Sequence, residues 1–243
     1  LMGSWTEYRQ KDQTDRVLFT YGYGDGGGGP TSQMLERGRR IRELGAPVRL
    51  EFRSPGAAAT GLLLPTGNVI DEITVEGLGT IEASLIDAAN PSVFVEAKAL
   101  GLTGTEDPAD LDAMEDVMGW LEAIRAQAAV MMGIAETEKE ATENSPSTPF
   151  VGMVAGPMDA KTLAGETIKA ADADLTARMI SSGNTHRALP LTGALCCATA
   201  ARIEGTLNHR HTRPARDTDA DINLMQPSGI LPVGCRVGNG PEG

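Results

Sequence analysis

The residues best suited to chemistry lie together in the last third of the 243-residue chain. From Thr192 to Ala201 nearly every residue is apolar and small, which is typical of a helix buried on all sides. The start of this predicted helix offers only Thr192 and Gly193, with no acidic cap. Its unpaired backbone N–H groups and the positive end of its dipole would therefore form a site for a carboxylate group.

Other reactive side chains surround this predicted helix start. His186 and Arg187, just upstream, could add hydrogen-bond donors or positive charge to a bound anion. Cys196 and Cys197 follow the start by more than a turn, so we interpret them as buried small hydrophobic residues. With the distant Cys235 they are neither a disulfide framework nor a zinc ligand set. The sequence therefore predicts no metal site, and three free thiols fit a reducing cytoplasm.

Composition excludes several classes of protein. The net charge of −12 leaves no excess of Lys and Arg to displace counterions, which argues against nucleic-acid binding. No apolar run is long enough to cross a bilayer, and no secretory signal is visible. We therefore expect a soluble protein that acts on small molecules and has no membrane partner. Leu1 is not a natural start, so we also expect a fragment of a longer protein.

A change of composition near residues 54–57 divides the chain. Residues 1–55 carry nine Lys or Arg and seven Asp or Glu, whereas residues 56–243 carry twelve and twenty-six. Six of the nine aromatic residues also precede this point. A module boundary explains both shifts and predicts two domains, 1–55 and 56–243. One heterogeneous domain is the alternative.

The sequence of the first domain predicts a strand at residues 17–21, a glycine loop and a helix at residues 31–44. The string Tyr21-Gly-Tyr-Gly-Asp-Gly-Gly-Gly-Gly-Pro-Thr31 is similar to one in the zinc-dependent retaining α-mannosidases, and this resemblance covers about residues 1–53. It implies a zinc held by His and Asp with a carboxylate nucleophile. No His precedes His186, so a working mannosidase is excluded.

A second interpretation of the glycine loop is a dinucleotide-binding turn. Gly22, Gly24 and Gly27 satisfy the pattern G-x-G-x-x-G, and Glu51 follows at a suitable distance in a second strand-like run. The helix-opening Pro30, the surplus glycines and the lack of a continuing βαβ pattern count against it.

The second domain predicts an α+β fold with an antiparallel-leaning sheet. Short apolar runs predict a strand and turn over residues 61–68 and strands at residues 71–75, 79–86, 92–97 and 150–155. Apolar residues at spacings of three and four predict a core-facing helix over residues 108–133. Residues 135–149 are typical of a solvated helix end and loop, and residues 174–180 form a further amphipathic element.

Several motifs of this domain occur in the order found in the PrpF family of 2-methylaconitate isomerases. They are Leu64-Pro-Thr-Gly-Asn68, Ser84-Leu-Ile-Asp-Ala-Ala-Asn-Pro-Ser-Val-Phe-Val95, Leu100-Gly-Leu-Thr-Gly-Thr-Glu106, Ala177-Arg-Met-Ile-Ser181, His186-Arg-Ala188, Thr192-Gly-Ala194 and Gln226-Pro-Ser-Gly229. Over about residues 57–238 the chain resembles the C-terminal half of that family, within the diaminopimelate epimerase-like fold. The resemblance implies a mostly antiparallel sheet curled around a central buried helix.

The same resemblance implies a chemistry and a site. Family members move a proton across an allylic system of unsaturated tricarboxylates without a cofactor. The residues implied to bind substrate are Asn90, Ser181, Asn184, His186, Thr192 and Gly193. Asn90 would donate its amide to one carboxylate, and the helix start would bind another. The structural alternatives are an Asx-turn at Asn90 before Pro91, and a hydrogen-bonded loop residue at His186.

The resemblance also implies that the catalytic base is missing. The family's proton-transferring Lys and Cys belong to the other half, and nothing before Gly56 resembles that half. Our first hypothesis is therefore a half that binds a small unsaturated di- or tricarboxylate without turning it over. The second is a non-catalytic assembly module that self-associates or recruits a partner through an exposed sheet face. The third is a carbohydrate-active remnant.

Overall fold

The structure is a computed structural model that describes residues 52, 55–57, 59–214 and 220–238. The predicted strand, glycine loop and helix of the first domain lie outside the described residues, and so do the G-x-G-x-x-G run and Glu51. The helices and strands given below all lie in one compact unit, Ser54–Gly243.

The centre of this unit is a mixed sheet. Its strands, with the short hairpin β5–β6 beside them, are β1 (Asp71–Val75), β2 (Gly79–Ala88), β3 (Asn90–Glu96), β4 (Phe150–Ala155), β5 (Ala160–Lys161), β6 (Thr167–Ile168), β7 (Leu175–Ser181), β8 (Asn184–Thr185), β9 (Ile222–Gln226) and β10 (Gly229–Val233). The order across the sheet is β1-β2-β3-β4-β7-β9-β10, and β8 pairs with β7. Neighbours are antiparallel except β3 with β4 and β7 with β9.

Helices cover this sheet, so the described residues form an α+β fold. They are α1 (Pro108–Asp112), α2 (Glu115–Met131), α3 (Glu138–Asn144), α4 (Leu191–Ala201) and α5 (Leu207–His211). The single helix expected over residues 108–133 is thus two helices. Met114 has ψ of 82°, which helical backbone does not allow, and its side chain is 36% exposed rather than in the core. Within the described residues no helix is long and apolar enough to span a membrane.

Two further stretches differ from expectation, and local contacts explain both. Residues 61–68 contain the expected turn, but bends replace the expected strand. Thr66 donates its hydroxyl to Asp71 (2.7 Å) and Asn68 donates its amide to the same carboxylate (2.8 Å), so this stretch wraps the start of β1. The solvated stretch 135–149 contains α3, which the side chain of Thr137 caps.

The sheet separates two hydrophobic cores. On one face α2 packs against alternate residues such as Leu85, Val93 and Val151. On the other face α4 and α5 pack against the intervening residues, such as Ile86 and Phe94. Neither face of β2, β3 and β4 is therefore open, and the exposed sheet face of our second hypothesis does not occur on these strands.

α4 packs against strands that are far apart in the sheet order. This helix contacts β2 and β3 and also β9 and β10, which lie four or five strands further along the sheet order. The structure therefore agrees with the expected α+β fold, in which a mostly antiparallel sheet packs against one buried helix.

Candidate functional site

The hairpin β7–β8 places the first candidate residues. Ser182 (φ 49°) and Gly183 (φ 71°) both have left-handed backbone, as a two-residue type I′ turn requires. This turn sets Ser181 opposite Asn184. The N–H of His186 then donates to the carbonyl of Met179 (2.8 Å), so the chain returns alongside β7.

The structure brings Ser181 and His186 together. The Ser181 hydroxyl lies 2.7 Å from Nε2 of His186, and the Phe150 ring packs on the imidazole at 5.8 Å between centroids. Because the imidazole is half-buried, loss of solvation lowers the pKa of His186 from its ordinary value near 6.5. The pair therefore offers a hydroxyl and a neutral imidazole on one side of the hairpin.

The start of α4 agrees with the expectation of an uncapped helix. Pro190 is the N-cap residue, no side chain caps the helix, and the first turn has no acidic residue. The helix begins at Leu191, one residue earlier than expected, so Thr192 and Gly193 are its second and third residues. Their N–H groups are among the first-turn donors that a helix cannot satisfy internally. These donors and the dipole favour a carboxylate at this end.

Gly193 explains how this helix start comes so close to the sheet. A Cβ atom added there would lie 2.2 Å from Sδ of Met179 and 3.1 Å from Cδ2 of Phe150. Any side chain would therefore push α4 away from β4 and β7. Phe150 contacts both Gly193 and His186, and so it connects the helix start to the imidazole.

The sheet register puts Asn90 at the same end of the strands as the start of α4. Ser92 pairs with Phe150, and the next pair along β4 joins Val151 to Ile180, so Ser92, Phe150 and Ser181 lie at the same end of β3, β4 and β7. Ser92 faces α4, because it pairs across the sheet with Ile86, whose side chain lies in the core that α4 fills. Asn90, two residues earlier on the same strand, shares this face because strand side chains alternate. Asn90 and the helix start therefore lie on the same face of the sheet and at the same end of its strands. A hollow shared by both stays a prediction.

Both candidate asparagines donate one amide hydrogen to a backbone carbonyl, but they differ in exposure. Nδ2 of Asn90 donates to the carbonyl of Pro91 (3.2 Å), which uses one of its two hydrogens at a half-buried position. Nδ2 of Asn184 donates to the carbonyl of Ser182 (2.9 Å) inside the exposed hairpin turn. Asn90 is thus the better placed of the two to bind a ligand.

The cysteines of α4 agree with our interpretation of them as small core residues. Cys196 and Cys197 are fully buried, and burial raises the pKa of both thiols to about 12. Cys235 is half-buried beside the Thr199 hydroxyl (3.4 Å), and all three cysteines are free. None of them offers a thiolate near neutral pH. Among the described residues no group of three or more His, Cys, Asp or Glu is arranged to hold a metal ion.

Sequence reasoning missed two residues of this region. Phe150 was assigned only to a strand, although its ring packs between Gly193 and His186. Gln226 accepts the N–H of Leu189 (3.3 Å) and the N–H of Ser228 (3.2 Å), and so it fixes the segment that leads into α4. The contacts of Phe150 and the contact of Gln226 with Leu189 join residues more than 30 positions apart, which local spacing does not reveal.

One surface hollow lies away from this site. It is a shallow groove of about 390 Å³ between α2 and α3, bordered by Gly119, Glu122 and Glu143 on the opposite face of the sheet. We give it less weight than the α4 start, because Glu122 is already paired with Arg125 (2.6 Å).

Comparison with protein families gives two matches. Residues 40–241 match the PrpF protein family. Residues 1–57 match the N-terminal domain of glycosyl hydrolases family 38. The first match contains every candidate residue described above.

Individual relatives agree with the PrpF match. The chain is 39% identical over 189 residues to 3-methylitaconate isomerase of Eubacterium barkeri, which covers 77% of this chain and 49% of the relative. It is 36% identical over 195 residues to 2-methyl-aconitate isomerase of Shewanella oneidensis, with coverage of 79% and 48%. A crystal structure of methylitaconate-delta-isomerase superposes with a TM-score of 0.73 at 39% identity, over 76% of this chain and 48% of that one. The chain thus spans about half the length of these relatives.

Proposed function

Because the chain belongs to the PrpF family, we propose that it binds a small unsaturated di- or tricarboxylate at the N-terminal end of α4. The single observation that carries this proposal is the uncapped start of α4 beside the Ser181–His186 pair. One carboxylate would accept hydrogen bonds from the N–H groups of Thr192 and Gly193. The amide of Asn90 would bind another, and the fold would be the epimerase-like half.

The proposal includes binding without turnover. An allylic proton shift needs a general base within hydrogen-bond reach of the proton. In the PrpF family that role is implied for a Lys and a Cys of the other half, and the relatives extend well beyond the matched region. The buried thiols of Cys196 and Cys197, with pKa values of about 12, do not replace them. No cofactor is proposed.

Two assays on the same protein test this proposal. Titration with trans-aconitate, followed by amide NMR, should show saturable shifts at Thr192 and Gly193. Proton exchange at the allylic carbon of 2-methylaconitate in deuterated water should stay at the background rate. Absence of saturable binding would overturn the proposed function, whereas exchange above background would show that a base is present.

A matched pair of variants locates the binding. Asn90→Ala should weaken trans-aconitate, because it removes a donor to the ligand. Asn144→Ala, the same exchange at an exposed residue that ends α3, should leave the affinity unchanged. Equal affinities for the two variants would remove Asn90 from the site.

A second candidate function is self-association. The observation that favours it is the exposure of two large apolar side chains, Leu62 at 58% and Leu191, the first residue of α4, at 48%. Contact with a second copy would cover them. Sedimentation at high protein concentration tests this, and a clean monomer would remove the candidate.

A further inference from the structure

Asp87, near the C-terminal end of β2, is fully buried. Its oxygen Oδ2 accepts the N–H of Ala59 (2.8 Å), the N–H of Thr60 (2.6 Å) and the Thr60 hydroxyl (2.9 Å). The other oxygen, Oδ1, is buried and has no hydrogen-bond partner among the described residues. A buried carboxylate with one idle oxygen is costly, so its position calls for an explanation beyond core packing.

The backbone of Asp87 holds the same segment. Its N–H donates to the carbonyl of Leu63 (3.0 Å), and its carbonyl accepts the N–H of Ala57 (2.8 Å). Together with the three bonds to Oδ2, five hydrogen bonds join this one residue to residues 57–63. The segment is therefore clamped across the end of β2.

The clamp reaches the turn that presents Asn90. Gly56 forms a β-bridge with Ala88, and the N–H of Ala89 donates to the carbonyl of Pro55 (2.7 Å). Ala89 has φ of 65°, a left-handed conformation that a residue with a Cβ rarely adopts. Asn90 is the next residue, so the direction of its side chain depends on this turn being held.

We propose that Asp87 is a positioning residue, which sets the place of Asn90 by clamping residues 55–63 against the β2–β3 turn. Asp87 itself does not touch the ligand. This inference rests on the proposed function, because it assigns a purpose to the placement of Asn90. Ala59, Thr60 and Leu63 then have a defined role, although they form neither a strand nor part of the binding site.

A double-mutant cycle tests this role, with trans-aconitate affinity as the measurement. Asp87→Ala should weaken binding about tenfold, since loss of a support displaces a binding group. In the Asn90→Ala background the same change should have less than about a twofold effect, because its route of action is gone. Asp87→Asn keeps one acceptor oxygen for the Ala59 and Thr60 donors, and so it should restore most of the affinity.

Asp71→Ala is the matched control. Asp71 is also nearly buried, and it holds a loop through Thr66 and Asn68, but it pairs with Ala83 four residues along β2 from Asp87. The control should lower stability and leave the affinity unchanged. If Asp87→Ala does not fold, Thr60→Val carries the same cycle, since it removes one of the three donors.

The outcomes separate the two proposals. The positioning role would be overturned if Asp87→Ala weakened binding equally with Asn90 present and in the Asn90→Ala background. It would also be overturned if Asp87→Ala and Asp71→Ala weakened binding alike. Either result would leave the proposed function intact. No binding by the unaltered protein would overturn both. If Asp87→Ala weakens binding when Asn90 is present but not in the Asn90→Ala background, both proposals are supported.

Discussion

The two long helices, α2 and α4, pack on opposite faces of one sheet in different ways. α2 buries large side chains, among them Val117, Leu121 and Ile124. Its first turn carries Glu115 and Asp116, whose negative charges compensate the positive end of the dipole. α2 therefore covers the sheet and leaves no need for an anion at its start.

α4 has the opposite character. Its buried residues are glycine, alanine, cysteine and threonine, so the helix can approach the strands closely. Its first turn has no acidic residue and no side-chain cap. The comparison teaches that one sheet can carry on one face a helix with a charge-compensated start and, on the other, a closely packed helix whose start has no negative charge, as the proposed function requires.

The largest effect that would break this comparison is expected at Gly193. Gly193→Ala should lower the free energy of unfolding by about 1–3 kcal/mol, because the new methyl group overlaps Met179 and Phe150. Gly119→Ala, at an exposed position of α2 with nothing within 4 Å, should raise it by about 0.5–1 kcal/mol. Urea unfolding measures both. Changes of the same sign would show that α4 is not packed more closely than α2.

A charge exchange sharpens the contrast between the two helix starts. Thr192→Asp should stabilise the protein by about 0.5 kcal/mol through the α4 dipole. It should also weaken trans-aconitate about tenfold or more, because a carboxylate would stand where the ligand's carboxylate binds. Glu115→Gln on α2 should cost a similar small stability and leave binding unchanged. An unaltered affinity in Thr192→Asp would place the ligand away from the α4 start.

The smallest effect concerns pH. Because the pKa of His186 is lower in the folded protein than in the unfolded chain, the unfolded state takes up the proton first as the pH falls. The stability linked to neutral His186 is complete above about pH 6.5 and declines as the pH drops toward the lowered pKa of the folded state. His186→Gln should flatten this decline, as measured by urea unfolding between about pH 7.5 and about pH 5.

His209→Gln, the same exchange at an exposed position of α5, is the control and should retain the decline. If both variants follow the unaltered protein, burial of His186 does not contribute to the pH dependence.

Much of the fold could be predicted because its signals are local. The small apolar run of α4 and the strands β1, β2, β3 and β4 came within a few residues of the observed bounds. The helix over residues 108–133 failed at Met114, since apolar periodicity continues through a break that only the backbone reveals. The strand expected within residues 61–68 is wrong, because its apolar run packs as an irregular wrap around the start of β1.

The candidate site was predicted in its parts and not in its geometry. His186, Thr192 and Gly193 follow from spacing, motif and the absence of an acidic cap. Their placement at the same end of the strands as Asn90 does not, because it depends on the parallel register of β3 with β4, two strands that are more than 50 residues apart in the chain. The predicted division at residue 55 stays a prediction, since most of the first domain lies outside the described residues.

By itself the sequence determined that one buried helix would begin without a negative charge and that the protein resembles the PrpF isomerases. These properties depend on residue type and short spacing. Only the tertiary structure decided that Phe150 joins the helix start to His186, and that Asp87 clamps the turn before Asn90. Such contacts are set by how distant strands pair and how close a helix packs, and no short-range pattern encodes either.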